Sequence, residues 1–370
     1  MQPQATQAWC RAQTSTTPQG QVQAAGKLSV TAGGALTNNS GALEALGAGS
    51  TLDVQANTIS NLAGLMVNAG NARTSITSAS TIISSGTIAG NGALVLNAQS
   101  LQNQAGGVIS AATTLDLAVR QQLDNQGGTI SSGGALAFNQ AAASFANSGR
   151  LASGGEMSII ASSIANNGGQ LYTVSGTGRG ITLQAGSLSN LGGAVSADGQ
   201  LLATIGGTVG NNGGTLHAGG DLTLNAGGAL NNGSGTIEAA GAASRLTANA
   251  QSVSSSGRIV NAGSGNTSVT SASSITNSGS IAGNGALDLH SNTLDNQAGG
   301  QLSSGAAMLL DVNQQLNNQG AIGSSGTLTF DEAAASFTNS GQVAAKGRAL
   351  INSSSFTNGG QISTVSGFGR

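Results

Sequence analysis

Short apolar segments that alternate with polar residues recur along nearly the whole chain. Examples are Leu94-Val95-Leu96, Leu115-Asp116-Leu117 and Leu222-Thr223-Leu224. A two-residue period of this kind is typical of strands that bury one face. A helical interpretation fails, because Gly recurs too often and no window carries apolar residues at i, i+3 and i+4. The pattern therefore predicts an all-β chain of short strands.

Polar corners of Asn or Ser followed by Gly separate these segments at a mean spacing of about 21 residues. Two apolar segments precede each corner and a third follows it, so each repeat contains three predicted strands. Gly and Asn suit such bends because both tolerate positive φ. We expect each corner Asn to satisfy backbone groups with its side chain and to stack on its neighbours in adjacent repeats. The predicted corner residues are Asn38, Asn61, Asn103, Asn125, Asn147, Asn166, Asn190, Asn211, Asn231, Asn277, Asn296, Asn318, Asn339 and Asn358.

A longer repeat of about 193 residues contains about nine of the short ones. Residues 74–80 return as residues 267–273, and residues 88–94 return as residues 281–287. The chain is therefore predicted to hold two copies of one block, the second of them incomplete.

The block boundaries follow from these matches. We predict an irregular lead-in at residues 1–25 and a continuous solenoid over residues 26–370. The two blocks cover about residues 26–218 and 219–370.

One three-strand repeat cannot bury its apolar face alone, whereas stacked repeats can. Each strand then pairs with the same strand one repeat later, which predicts a parallel β-helix of about 17 coils. At roughly 4.8 Å per coil the rod would be on the order of 80 Å long. The aromatic content of 2% fits a thin core of Leu, Ile, Val and Ala. The recurring residues Phe138, Phe145, Phe330 and Phe337 are predicted to mark wider core levels.

Composition excludes several classes of function. A net charge of −2 with 6% charged residues gives no electrostatic footprint for nucleic acid. No run of 18 apolar residues is present, so no membrane span is predicted. The lone Cys10 permits neither an internal disulfide nor a Cys-based metal cluster. Residues 1–20 lack the basic start and apolar core of a secretory signal, and we interpret the chain as a fragment of a longer protein.

The succession Asn-x-Gly-Gly, x-Ile-x-Ser and Gly-Ala-Leu-x-Leu resembles the haemagglutinin repeats of filamentous haemagglutinin-like proteins. Residues 101–110 and 123–136 carry it most clearly, and the resemblance extends over about residues 26–370. Such proteins are large exoproteins of bacterial two-partner secretion systems. They include adhesins associated with virulence and effectors of contact-dependent growth inhibition. The resemblance implies a right-handed β-helical shaft that is exported through an outer-membrane partner and folds at the cell surface.

Two features of full-length members have no counterpart in this sequence. They are the amino-terminal secretion domain and a carboxy-terminal, toxin-like globular segment. We therefore assign neither export nor toxicity to this segment itself.

The main functional hypothesis is a structural shaft segment of a secreted, cell-surface filament that presents a distal adhesive or toxic region. It needs no cofactor and no catalytic or metal-binding residue. The expected partners are the outer-membrane transporter of the parent protein, a receptor or glycan on a host or bacterial surface, and further copies bound end to end.

In the alternative hypothesis the rod itself is an adhesin that binds a surface glycan or protein. The candidate contact residues are Tyr172, Arg179 and Arg370. Tyr172 has Ser363 as its counterpart in the second block, and the two Arg residues end both copies of Ser-Gly-x-Gly-Arg.

A third hypothesis is a β-helical polysaccharide-degrading enzyme, which needs clustered carboxylates on neighbouring coils. Asp311 is expected to stack on Asp288, but the first block has no equivalent pair, so no catalytic cleft is predicted. His217 and His290 have no Cys or carboxylate at ligand spacing, which argues against a metal site. An ice-binding surface would need an aligned Thr ladder, and the Thr residues do not align from coil to coil.

Overall fold

The computed structural model describes residues 8–12, 15–17, 19–176 and 178–365. The chain is an all-β, parallel β-solenoid of about 16 turns with about 21 residues per turn, which confirms the predicted fold class. In the described residues no helix is long and apolar enough to cross a membrane. The chain divides into two compact units, Met1–Ala185 and Gly186–Arg370.

Unit 1 contains strands β1–β21. Most turns hold three strands, and each strand pairs in parallel with its equivalent in the next turn. The first and second strands of the turns lie in one sheet and the third strands in another. The strands are β1 (Ala8–Ala12), β2 (Ser15–Thr16), β3 (Gln21–Ala24), β4 (Leu28–Ala32), β5 (Ala35–Thr37), β6 (Ala42–Ala45), β7 (Leu52–Ala56), β8 (Thr58–Asn61), β9 (Leu65–Asn68), β10 (Thr74–Ser78), β11 (Thr81–Ser84), β12 (Thr87–Gly90), β13 (Leu94–Asn103), β14 (Val108–Ala111), β15 (Leu115–Asn125), β16 (Thr129–Ser132), β17 (Leu136–Asn147), β18 (Arg150–Ser153), β19 (Met157–Ala165), β20 (Gln170–Thr173) and β21 (Ile181–Ala185).

Unit 2 contains strands β22–β43 with the same parallel pairing between successive turns. The strands are β22 (Leu188–Ser189), β23 (Ala194–Ala197), β24 (Leu201–Ile205), β25 (Val209–Gly210), β26 (Thr215–Ala218), β27 (Leu222–Ala226), β28 (Ala229–Asn232), β29 (Thr236–Ala239), β30 (Leu246–Ala250), β31 (Ser252–Ser255), β32 (Arg258–Asn261), β33 (Thr267–Ser271), β34 (Ser274–Asn277), β35 (Ser280–Gly283), β36 (Leu287–Asn296), β37 (Gln301–Ser304), β38 (Met308–Asn318), β39 (Ala321–Ser324), β40 (Leu328–Asn339), β41 (Gln342–Ala345), β42 (Ala349–Asn358) and β43 (Gln361–Thr364).

The core of each unit is a set of apolar columns, because the register places equivalent residues of successive turns directly over one another. In unit 1, Leu28 pairs with Leu52, which pairs with Thr74, and all three are fully buried. Thr74 is the polar member of this Leu column, and its Oγ1 has no hydrogen-bond partner among the described residues. A Cβ on Gly90 would stand 2.6 Å from that oxygen, so only glycine fits there. Thr267 and Gly283 repeat the arrangement in unit 2.

Four turns of each unit differ from the three-strand prediction, because their first two strands form one continuous strand of 9 to 12 residues. The reason is a bulge that keeps the bend hydrogen-bonded to the neighbouring turn. In β13 the amides of Gln99 and Ser100 both donate to the carbonyl of Ser80, at 2.8 and 3.1 Å. In β36 the backbone amides of Asn292 and Thr293 both donate to the carbonyl of Ser273 in the same way.

The longest of these strands carry the four predicted core phenylalanines. Phe138 and Phe145 lie on β17, buried, with ring centroids 5.6 Å apart. Phe330 and Phe337 form the same pair on β40 at 5.4 Å. Both strands have 12 residues, two more than β13 or β36, so the extra backbone accommodates the larger rings.

The predicted irregular lead-in at residues 1–25 is corrected by the structure, since β1, β2 and β3 lie within it. β1 pairs with β4 from Ala8 opposite Leu28, and β3 pairs with β6 from Gln21 opposite Ala42. The next turn supplies backbone partners that a reading of the segment alone does not consider.

Candidate functional site

The corner asparagines of unit 1 form hydrogen-bonded ladders from turn to turn. The Nδ2 of Asn103 donates to Oδ1 of Asn125 at 2.8 Å, and Asn125 donates likewise to Asn147 at 2.7 Å. Asn147 continues to Asn166 at 2.7 Å, and a separate ladder runs from Asn38 to Asn61 at 2.8 Å. These side chains are at most 2% exposed.

The same nitrogen of a corner asparagine also donates to the backbone. Asn38 Nδ2 lies 2.9 Å from the carbonyl oxygen of Leu65, and Asn61 Nδ2 lies 3.2 Å from that of Thr87. Each amide therefore satisfies a side chain and a main-chain group at the start of a third strand. Such a buried network binds neighbouring turns together.

Unit 2 has two further ladders. One joins Asn190, Asn211 and Asn232 at 2.8 Å per step. The other joins Asn277, Asn296, Asn318, Asn339 and Asn358 at 2.7 to 2.9 Å per step. Asn358, in the last turn, is exposed, whereas the other members are buried.

One predicted corner residue is wrong. The ladder contains Asn232, which is fully buried, whereas the side chain of Asn231 is exposed. The two lie next to each other on β28, and alternation along a strand turns only one of them inward. In the register of β28 with β31, Asn232 stands opposite the buried Ser255 and Asn231 opposite the exposed Ser254, so Asn232 is the residue that points inward.

Two positions in the ladders carry serine. Asn61 Nδ2 donates to Oγ of Ser84 at 3.2 Å, and Asn232 donates to Oγ of Ser255 at the same distance. The shorter Ser84 side chain does not continue to Asn103, whose Oδ1 has no partner among the described residues. In the second block, Asn277 takes the place of Ser84 and donates to Asn296.

A second set of buried polar corners was not predicted from the sequence. Ser50 Oγ donates to Oδ1 of Asn68 at 2.6 Å, and Ser244 Oγ donates to Asn261 at 2.8 Å. All four residues are buried. The signal was available, because Asn68 and Asn261 are separated by the same 193 residues as the rest of the long repeat.

Tyr172 lies on the outer face of β20 beside the exposed Arg150 of β18. The Arg150 Nε donates to the Tyr172 hydroxyl, and the guanidinium carbon lies 4.8 Å from the ring centroid. The pair therefore combines a hydrogen bond with a cation–π contact at an exposed site. Arg150 was not among the predicted contact residues, although it is one turn before Tyr172.

Arg179 lies in the longest connection between turns of unit 1, the segment from β20 to β21. Its Nη1 lies 3.9 Å from Oε1 of Glu156, and both side chains are more than half exposed. The other Glu156 oxygen accepts the amide of Gly180 at 2.8 Å. The third predicted contact residue, Arg370, lies outside the described residues.

The structure places both histidines opposite a carboxylate one turn later. His217 Nδ1 lies 3.5 Å from Glu238, and His290 Nδ1 lies 2.6 Å from Asp311. These pairs were not predicted from the sequence, because their members lie one turn of about 21 residues apart, far beyond the ligand spacing within one strand. The expected stacking of Asp311 on Asp288 is corrected, since Asp288 stands opposite Leu309.

Glu332 extends the His290–Asp311 pair into a small polar cluster. Burial raises the pKa of the Glu332 carboxyl, and a hydrogen bond to Asp311 and repulsion from Asp311 and Asp331 raise it further. The Oδ1 of Asp331 accepts a hydrogen bond from the Nδ2 of Asn352 at 2.7 Å. Across the described residues no group of three or more His, Cys, Asp or Glu side chains has a geometry that could hold a metal ion.

Comparison with known proteins gives one family. The family model described as a haemagglutinin repeat matches residues 131–213, 196–263, 262–330 and 309–368, which together cover more than half of the chain. No curated protein and no solved structure matches the chain.

Proposed function

The chain belongs to the haemagglutinin repeat family, and on that basis we propose that it is a structural shaft segment of a large, secreted filamentous protein at the bacterial cell surface. In this role it presents a distal adhesive or toxic region and performs no catalysis. The family is one of structural repeats and not of enzymes, which supports the proposal.

The observation that carries the proposal is the unbroken pairing of turns within each unit. In unit 2, for example, Asn277, Asn296 and Asn318 are joined by side-chain hydrogen bonds between turns whose strands also pair in register. In a stack of this kind each turn contacts only its neighbours, so length is gained by adding turns. A shaft needs this property, whereas a compact binding domain does not.

Export and partners are part of the same proposal. The parent protein would leave the cell through an outer-membrane transporter of a two-partner secretion system and fold at the surface. A chain with one Cys and 6% charged residues fits this route, because it folds without disulfide formation and carries few charges through the pore.

The experiment that tests the shaft role removes one whole block from the longer parent protein. Deletion of residues 85–277 joins Ser84 to Ser278. Ser278 is the equivalent of Ser85 in the second block, so the junction keeps the repeat in phase. We expect normal surface display, retained target-cell binding and a filament that is shorter by nine turns. A filament of unchanged length would contradict the shaft role.

Direct adhesion is a second candidate, favoured by the exposed Tyr172–Arg150 pair beside the long connection that carries Arg179. The ligand would be a glycan or protein of a host or bacterial surface. The same deletion removes all three residues, so normal display with loss of binding would favour adhesion by the rod. Tyr172→Ala in the undeleted protein would then reproduce that loss.

A further inference from the structure

A shallow trough of about 440 Å³ runs along the corner side of unit 2 across four turns. Its floor is made of Gly300, Gly320, Gly341 and Gly360, one from each turn. A Cβ on any of the last three would stand 2.1 Å from the carbonyl oxygen of the glycine one turn earlier. No side chain can therefore fill the floor, and the trough is a fixed consequence of how the corners stack.

Four glutamine side chains flank this floor. Gln301, Gln342 and Gln361 occupy the first position of β37, β41 and β43, and Ala321 takes the equivalent place on β39. Gln319 lies on the other side of the floor. All four glutamines are exposed. Their side-chain amide groups make no hydrogen bond within the described part of the chain.

The lining of the trough restricts the chemistry of a ligand. Neither a charged nor an aromatic side chain is among the residues that line it. Each glutamine amide offers two N–H donors and one carbonyl acceptor. An apolar ligand would leave these groups without partners, and an ionic ligand would find no opposite charge. Hydroxyl groups, which both donate and accept, match the amides best.

The spacing restricts the shape of the ligand. The amides repeat along one line at intervals of one or two turns, with about 4.8 Å between successive strands. A row of equivalent groups suits an extended chain with a repeated hydroxyl pattern better than a single compact molecule. We propose that this trough binds a neutral, hydroxyl-rich polysaccharide chain that lies along the stack of turns. The site adds a binding activity to the shaft role and does not depend on it.

The first block provides a natural comparison. At the same corner of the four equivalent turns it carries Val108, Thr129, Arg150 and Gln170. Only one of these four positions holds an amide, against three in unit 2. The backbone corner is shared and the amides are not, so they can be tested separately from the fold.

The experiment is affinity electrophoresis of the full 370-residue chain in gels containing dextran, galactomannan or xyloglucan, with heparin as the charged comparison. We expect at least one neutral polysaccharide to retard the chain. The triple variant Gln301→Ala, Gln342→Ala, Gln361→Ala is expected to bind about tenfold more weakly. The matched control Val108→Ala, Thr129→Ala, Gln170→Ala alters the same corner of unit 1 and is expected to bind as the unaltered chain does.

Circular dichroism and thermal melting of both variants establish that they fold, since all six positions face outward. Retardation by heparin alone, or equal retardation of the triple variant and the unaltered chain, would overturn the inference. Failure of the shaft role would instead appear as unchanged filament length in the block deletion, so the two results are independent.

Discussion

At the scale of single residues, asparagine suits the corner because its short side chain carries both a donor and an acceptor. Asn125 uses both within the ladder: it accepts from Asn103 and donates to Asn147. A serine hydroxyl reaches less far, which is why the ladder breaks at Ser84 and the Oδ1 of Asn103 finds no partner in the described part of the chain. A buried acceptor in that state costs about 1–3 kcal/mol.

We therefore expect Ser84→Asn to stabilise the protein by about 1 kcal/mol, because the new amide donates to Asn103 while still accepting from Asn61. Chemical denaturation with the unfolding free energy as the readout measures this. The reverse change in the other block, Asn277→Ser, is the matched control and is expected to destabilise by a similar amount, since it leaves Asn296 without its donor. A Ser84→Asn variant of unchanged or lower stability would contradict the ladder argument.

The corner asparagines could be located from sequence because their spacing is regular, and the structure places all but one of them in the ladders. The choice between Asn231 and Asn232 could not be made, since it depends on the register of β28 with β31. The contact of Tyr172 with Arg150 likewise depends on which faces of β18 and β20 point outward. Periodicity locates a turn, but only pairing identifies the residues that touch across turns.

At the scale of strands, β38 and β40 bring charges together that the first block does not have. Asp311 lies on β38, and Asp331 and Glu332 lie on β40, while the equivalent places in β15 and β17 hold Ala118, Asn139 and Gln140. The backbone scaffold of the two pairs of strands is the same. The charges therefore affect stability without deciding the fold.

Glu332 should make the stability of the protein pH-dependent. Burial and the neighbouring carboxylates raise the pKa of Glu332 in the folded chain above its value in the unfolded chain. The folded state then binds more protons than the unfolded state between these two pKa values, so the unfolding free energy falls as pH rises through that window. Glu332→Gln is expected to remove this loss and to stabilise the protein at pH 7 by up to about 1 kcal/mol.

Denaturation curves of the two proteins between pH 4 and pH 7 measure the effect. His290, Asp311 and Asp331 face the same cluster and are present in both proteins, so the difference between the curves reports the effect of removing the Glu332 carboxyl. Gln140→Glu in the first block is the matched control. The positions of Asp311 and Asp331 hold Ala118 and Asn139 in the first block, so the new carboxyl lacks those two acidic neighbours and is expected to give a weaker dependence. Parallel curves for Glu332→Gln and the unaltered protein would contradict the prediction.

The strand pattern was predictable from two-residue alternation, but the continuous strands were not. A bulge such as the one at Gln99 and Ser100 arises from two amides that share one carbonyl of the neighbouring turn. The sequence of a single turn does not show which carbonyl of the neighbouring turn these amides will reach. The strands in residues 1–25 were missed for the same reason, since β1 and β3 exist through their pairing with β4 and β6.

At the scale of the whole molecule, the long repeat allows the last turn of unit 2 to be compared with its equivalent in unit 1. Ile164 of β19 is 1% exposed, whereas Phe356, the equivalent residue of β42, is 48% exposed. In unit 1 the turn that follows β19 begins with β21, which pairs from Met157 opposite Ile181. Among the described residues no strand occupies that place beside β42. We propose that copies of the 370-residue chain associate end to end through this edge.

Adding one turn should cover the edge. A copy of residues 180–200 placed after Arg370 continues the repeat in phase, because residues 369–370 match residues 178–179. We expect the extended chain to be more stable by about 1–3 kcal/mol, since Phe356 becomes buried. Thermal melting measures the stability of the extended chain, and sedimentation velocity of the original chain over a range of concentrations measures the proposed association.

The control for the added turn is the same extension with Ile181→Asp and Leu183→Asp in the appended copy. These residues would stand over Ala349 and Ile351, so the two charges prevent the turn from docking. This variant should melt like the original chain. Equal gains from both extensions would mean that the appended turn does not dock in the predicted register.

The hydrogen bonds between the asparagines of each ladder all run in one direction, because the Nδ2 of one residue donates to the Oδ1 of the next. A row with a single polarity has no preferred length. When recombination between repeated gene segments inserts or removes a whole number of turns, each new junction again brings a donor to an acceptor. A duplication of this kind would produce a long repeat such as the one of 193 residues. Selection can therefore change the number of turns in one genetic step, with no new interface to evolve.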